Sequence, residues 1–598
     1  MEALENSMSD MLINPQGLCC NHQPGPSCTK VGSLACKNCH MVAGKYCSKG
    51  CQTAHWPIHR KDCQSHLMKG SWKPHWVMEQ RSPAFMDSSN AGYPGFGALK
   101  YLWGNVPAVD VVQLGQNEGT NYQKPISLLF AASGDLRNVV LSVASLPQAF
   151  KSPLSIVIND REIDIVARNL IMLLLMLVEE DRVVAAESML HIWYSALVTE
   201  ACYTLLQEKI KPIIEDVCNK TVGKPGQSIF GKTWTFGGSS VRVVLTRVAW
   251  VQLLSYFEVP TRMTKKTAHD VRQAVVNAPS RVDFVDRSIL MQPPNRGLGT
   301  IKYRQDGILI PFGQSHDAFI IPNPTIFDSS KQWPMMDSAD PQDGWSMKTF
   351  LATKAGPAKR DTYGQLHHYL KRLFTEFHQS LRSKPISFEL YHVDALFLGA
   401  TLIGKNFDRI EVSNISDIHY LGTKKTLEIF GPLLRSPSAN RHATLITYFL
   451  NAVPMAKMVS EQTDPLAASR MSKIESKAVL QYLQSDILQT KGSIAQMAQR
   501  FGMWAIVMAS AVNLVSDMDK YFDMYVEMEG FAASARSAGV EMKERHTIIQ
   551  RWPLKVKGGQ HPTSKDKEDF KLLLGSGHGG QERYVEWKVE ATKKAGGK

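Results

Sequence analysis

The sequence predicts an α/β fold: a doubly wound, mostly parallel sheet with a large insertion and a helical C-terminal region, preceded by a small zinc-bound unit. Three observations carry this. Strand, turn, helix, strand, acid and helix follow one another between residues 126 and 178, the order of a βαβ unit. Further strand-like stretches recur only after a long gap, from Ile386 onward. The segment Ala35–Cys63 gathers five cysteines and three histidines, whereas only Cys202 and Cys218 follow it.

At 598 residues the chain exceeds a single core, and its composition, 44% hydrophobic and 21% charged, is that of a globular protein. The N-terminus joins no basic stretch to an apolar one, so no signal peptide is expected and the compartment is read as cytoplasm or nucleus. Disulfides are rare there, and clustered cysteines point to metal. The longest apolar runs, Leu170–Val178 and Met503–Val512, fall short of the roughly 20 residues that cross a bilayer. Buried helices are expected instead, and no membrane. The formal charge is +13; two zinc ions on seven thiolates would leave about +10. Without a run of consecutive Lys/Arg, so mild an excess argues against a nucleic-acid partner.

Zinc takes soft or borderline donors at four tetrahedral corners. Cys36 and Cys39 form a Cys-x-x-Cys knuckle. Cys47 with Cys51, and His59 with Cys63, are each spaced one helical turn, which would set each pair on one face of a short helix. The remaining ligands must come from upstream, where Cys19, Cys20, His22 and Cys28 stand. A polar segment this short cannot build a core alone, so a metal staple is required. His40 and His55 lie off the pattern and are expected at the surface, with Trp56 over the small core. Sites filled by four protein ligands are structural and activate no water.

The stretch "YCSKGCQTAHWPIHRKDC" resembles the MYND zinc finger, and the likeness runs from Cys20 to Cys63. It implies two interleaved structural zincs, one on Cys20, Cys28, Cys47 and Cys51, the other on Cys36, Cys39, His59 and Cys63. The first pair departs from the family, with seven residues between Cys20 and Cys28, which leaves Cys19 or His22 as substitutes for Cys20. The resemblance also implies a protein partner carrying a short proline-containing motif, bound in a shallow groove that uses Gln52 and Trp56. Residues 20–63 are thus the finger. Residues 64–98, rich in Pro, Gly and polar side chains, read as a linker with few contacts to the body.

Residues 99–200 read as the first half of the α/β domain. The apolar run Ile126–Ala132 suits a strand buried on both faces. It meets Ser133-Gly134-Asp135 and turns into a helix bearing Leu136, Val139, Val140 and Val143. A second strand, Leu154–Asp160, ends in a carboxylate before an apolar helix. Residues 201–385 read as an insertion, helical then loop-rich. The second half, 386–455, holds strands at Ile386–Asp394, Phe407–Asn414 and Ala443–Asn451. Residues 456–598 read as a helical region with a mobile basic tail, and Gly575–Gly580 as a loop.

The first βαβ unit resembles the start of a Rossmann-like S-adenosylmethionine methyltransferase. The likeness implies cofactor binding at Gly134 in the turn and Asp160 at the strand end, with Asp394 near the adenine. The turn carries one glycine where that family has two or three. A purely structural role also suits these residues, Gly134 permitting the turn and Asp135 capping the helix. No residue is assigned as catalytic, and His191, His392 and His419 read as core or surface. A wider likeness rests on "YLWGNVPAVDVVQLGQNEG", "LLFAASGDLRNVV", "VINDREIDIVARN" and "ERHTIIQRWP". These resemble an uncharacterised fungal family joining a MYND finger to this α/β domain, which an axonemal dynein assembly factor shares. The implied role is a zinc-binding adaptor or assembly factor, the alternative a methyltransferase acting on protein or RNA.

Overall fold

The computed structural model describes residues 34–41, 46–86, 95–354, 358–483, 502–503, 506–508, 511–557 and 561–590. In chain order the strands are β1 Ile126–Phe130, β2 Leu154–Asn159, β3 Leu197–Thr199, β4 Ile229–Phe236, β5 Ser239–Thr246, β6 Phe319–Pro322, β7 Ile386–Tyr391, β8 Arg409–Glu411, β9 Thr444–Phe449, β10 Val540–Met542 and β11 Arg583–Val589. Nine of them form one sheet in the order β10-β11-β9-β8-β1-β2-β7-β5-β4, while β3 pairs with β6. From β9 to β5 every pairing is parallel. Only the two edges are antiparallel, through β4 at one side and β11 at the other. The fold is mixed α/β around a large, parallel-rich sheet.

A parallel sheet must be covered on both faces, and the alternation of β1 and β2 divides the core accordingly. Leu128, Phe130, Ile156 and Ile158 face one hydrophobic cluster, whereas Leu129 and Val157 face the other. The first face is covered by helix α2 (Ile163–Val178), α3 (Arg182–Tyr194) and α4 (Thr362–Ser383). Every residue of α2 from Ile165 to Leu177 is buried, so its apolar run serves as an interior helix. Among the described residues no helix is long and apolar enough to cross a membrane. The second face is covered by helices Gly422–Phe430, Ala452–Thr463, Asp519–Met528 and Phe531–Ser537.

Several expectations are corrected. The stretch 201–385 is not only helices and loops. The hairpin β4–β5 lies within it, closed at Gly237 with φ of +59°, and β5 joins the sheet beside β7. The region 456–598 is likewise not only helical. β10 and β11 extend the sheet, and the basic segment includes the buried Trp587 of β11. The apolar alternation of β11 is masked by Arg583 and Glu586, both fully buried. Glu586 accepts from the backbone N–H groups of Thr547 (2.9 Å), Ile548 (2.8 Å) and Ile549 (3.0 Å), which compensates its desolvation.

Residues 64–98 are not a free linker over their described part. Asp283 accepts from both Arg81 terminal nitrogens (2.5 and 2.8 Å) and from Ala84 N (2.7 Å), and Asp286 receives His75 N at 2.6 Å. Both acids are buried. Leu67 packs with Ile289, Leu298 and Phe312 of the body. Polar composition concealed this docking because the attachment is made largely by charge pairs and backbone donors.

The deepest ion pair among the described residues fixes β8. Arg409, almost fully buried, donates to Glu118 (2.8 Å) and to the carbonyls of Val111, Val112 and His442 at 2.9–3.1 Å. Arg409→Met strands an equally buried carboxylate and should cost about 3–5 kcal/mol. Urea denaturation of the variant is expected to show a correspondingly lower midpoint.

Candidate metal centre

Helix α1 (Lys49–Cys63) begins at Ser48, whose hydroxyl accepts from Cys51 N at 3.2 Å. This cap places Cys47 just ahead of the helix, so Cys47 and Cys51 meet at its N-terminal turn instead of along one helical face. Their sulfurs lie 3.3 Å apart. The partial positive charge of a helix N-terminus favours thiolates there. Along α1, Cys51, His55, His59 and Cys63 recur every four residues and form one stripe.

That stripe brings His59 and Cys63 to Cys36 and Cys39, whose knuckle turn ends at His40 with φ of +55°. The four donor atoms lie within 4.8 Å of one another, and all four residues are buried. Bonds of 2.3 Å to sulfur and 2.0–2.1 Å to nitrogen at a tetrahedral angle imply a separation of about 3.8 Å between two sulfurs and about 3.5 Å between sulfur and nitrogen. Cys36 and Cys63 sulfurs are 3.7 Å apart, and Cys39 Sγ lies 3.5 Å from His59 Nε2. Three thiols and one imidazole at these spacings fit zinc.

Electrostatics favour the donor forms at His59 and Cys36 and oppose the thiolate at Cys63. Burial lowers His59 to about 4, with His55 adding to the effect, so its ring is neutral and offers a lone pair. Burial opposes ionisation of Cys36, yet the backbone N–H groups of Cys39 and Asn38 draw its thiol below the ordinary value. Burial and the neighbouring Cys39 and Cys36 push Cys63 up to about 12.

His55 is corrected: it is 2% exposed, and its Nδ1 lies 2.9 Å from the hydroxyl of the buried Tyr46. The four-residue repeat along α1 was the signal that would have found it. Gln52 and Trp56 are part-exposed on α1, and the Trp56 ring meets His59 edge-on. Cys19, Cys20, His22 and Cys28 lie outside the described residues.

In the body, the structure brings Gly134 and Asp160 together. Gly134 has φ of +54°, and its N–H donates to Asp160 Oδ2 at 2.9 Å, while Oδ1 accepts from Glu162 N at 2.9 Å. Both carboxylate oxygens thus hold backbone. Asp135 is not the helix cap, which is Leu136; it accepts from Arg137 N (3.2 Å) and Gly104 N (2.9 Å) and pairs with the Arg137 side chain at 2.7 Å, while Asp394 accepts from Leu396 N at 2.8 Å. The buried His191 joins a cluster of its own, whereas His419 is exposed. Gly575–Gly580 is a loop, with Gly577 N donating to Asp343 at 3.1 Å.

Because Cys63 holds its proton at neutral pH in the metal-free finger, zinc binding must release it. Zinc affinity should therefore fall as pH falls, about tenfold per unit for each proton released. Calorimetry in buffers of different ionisation enthalpy measures that release. Cys36→Ser should lower the zinc content per chain and lower the finger's melting temperature.

Models of two families match parts of the chain. The domain of unknown function DUF4470 matches residues 102–198, which hold β1, β2, α2 and α3. The MYND finger matches residues 20–63. No curated protein and no solved structure matches the chain. Residues 20–63 are a MYND finger, a zinc-binding module of protein–protein interaction.

Proposed function

We propose that this chain is a zinc-binding adaptor or assembly factor of the cytoplasm or nucleus, whose finger captures a partner protein by a short proline-containing motif. The observation that carries the reading is the closed donor set: four buried side chains leave no position for a reacting water. The finger's function must then lie on its surface. There, Gln52 and Trp56 stand one helical turn apart on α1, offering an amide and an apolar ring to an extended peptide. Cys47 and Cys51, with Cys20 and Cys28, would hold a second structural zinc. The α/β body would carry the captured partner, in the manner implied by its resemblance to the dynein assembly factor.

A proline-rich peptide library titrated against the full chain by fluorescence polarisation tests this. Trp56→Ala should weaken binding by about tenfold or more, the scale of a lost aromatic anchor, with zinc content unchanged. Affinity indifferent to both Gln52→Ala and Trp56→Ala would sink the groove.

One observation favours the methyltransferase reading. Leaving out β5, the parallel strands from β7 to β9 follow the chain order 3-2-1-4-5, a doubly wound order whose ligands bind at the carboxyl ends of the strands. Gly134 and Asp160 meet at that end, and beyond Gly134's own chain neighbours no described protein atom lies within 4 Å of where a side chain there would begin. Against it, both Asp160 oxygens are engaged by backbone donors. Calorimetric titration with S-adenosylmethionine decides: micromolar binding abolished by Asp160→Ala would establish a cofactor site. No heat at millimolar cofactor would remove it.

A further inference from the structure

A second cluster of metal-ligating side chains lies outside the finger, between α3 and α4. Glu187 and His191 are one turn apart on α3, and His367 comes from the first turns of α4. Glu187 Oε1 is 3.4 Å from His191 Nε2 and 3.7 Å from His367 Nε2, and the three donors lie within 4.8 Å of one another. Tetrahedral bonds of 2.0–2.1 Å require about 3.3–3.4 Å between donors, so small side-chain movements would complete the set.

His367 supplies the independent observation. The residue is 4% exposed, and neither ring nitrogen has a partner within hydrogen-bond distance: Nε2 faces Glu187 Oε1 across 3.7 Å, and Nδ1 meets no acceptor or donor. Buried polar groups left unmade are destabilising and rare. An ion held between Nε2 and Glu187 Oε1 would supply the bond that this separation leaves unmade. The surroundings suit the same chemistry. His191 Nδ1 lies 3.0 Å from Ser195 Oγ; a proton donated there frees Nε2 for a metal, the arrangement that outer hydrogen bonds impose on ligating histidines. Lys371 pairs with Glu187 Oε2, which leaves Oε1 for the two imidazoles. Glu187 is about a third exposed, so the cluster has an edge open to solvent.

We propose that Glu187, His191 and His367 form a binding site for a divalent transition-metal ion, zinc being the best match, with a fourth position left to water. It is distinct from the finger in its donors, which include no sulfur.

The test uses the full chain dialysed against micromolar Zn²⁺, with metal content measured by plasma mass spectrometry. Wild type should hold one ion more per chain than Glu187→Gln or His367→Gln, whatever the finger contains, and each variant should bind that ion at least tenfold more weakly. Circular dichroism confirms that the variants fold. Should His367→Gln not fold, the more exposed Glu187→Gln decides. Independently of any variant, Co²⁺ added to wild type that carries zinc at the finger alone should give weak visible bands without thiolate charge transfer. Equal metal content in wild type and folded Glu187→Gln, or no such cobalt spectrum, overturns the proposal and leaves the cluster a buried ion-pair network.

Discussion

A strand with neighbours on both sides and apolar residues on both faces has to be covered twice, and this requirement organises the chain. β1 and β2 present Leu128 and Ile156 to one layer of helices and Leu129 and Val157 to the other. Helices contiguous with these strands in sequence are too few to close both faces. The chain therefore draws α4 and the helices beyond residue 420 onto the sheet, and long connections become structural necessities. The parallel register commits partners distant in sequence to each other, as with Ile156 opposite Phe388 and Leu128 opposite Arg409. What looks like an insertion between β2 and β7 is also the source of a sheet edge and of the first layer's longest helix.

The finger answers the opposite problem, too little apolar material. Its buried set consists of Cys36, Cys39 and Cys63 with Met41, Tyr46 and Leu67, and it is completed by Ile289, Leu298 and Phe312 of the body. A donor cluster that fits zinc and a borrowed surface stand where a larger core would otherwise be. The hydrogen bonds to the buried Asp283 and Asp286 fix the orientation of that contact, since a buried acid tolerates few arrangements of its donors. Finger and body are thereby mechanically continuous through Arg81, whose guanidinium meets Asp283 with both terminal nitrogens.

Legibility in the sequence followed locality. The knuckle at Cys36 and Cys39 and the turn at His59 and Cys63 are short-range spacings, and a metal's geometry translates them directly into contacts. β1, β2, β7 and β9 announced themselves as apolar runs for the same reason. β4 and β5 escaped notice although "TFGGSS" is a hairpin signal, because β4 alternates part-buried with exposed residues and carries no apolar run. β11 escaped because its central charges are neutralised by partners some 40 residues upstream, among them Lys543 at 3.1 Å from Glu586. Glu187 and His367 are 180 residues apart, and nothing in either segment names the other. The Gly134–Asp160 contact was legible as a juxtaposition, though the hydrogen bonds that occupy it were not.

The position of β11 has a consequence for biosynthesis. This strand lies between β9 and β10, and it is made about 40 residues after β10. On the ribosome, β9 therefore emerges with an unpaired edge, and β10 has no neighbour to join until residue 589 has cleared the exit tunnel. Through that interval the nascent chain exposes a strand edge that any passing segment could match. Folding of this sheet is consequently timed by translation at its far side, and a ribosome stalled before β11 would hold a body whose parallel centre is assembled and whose flank is still open.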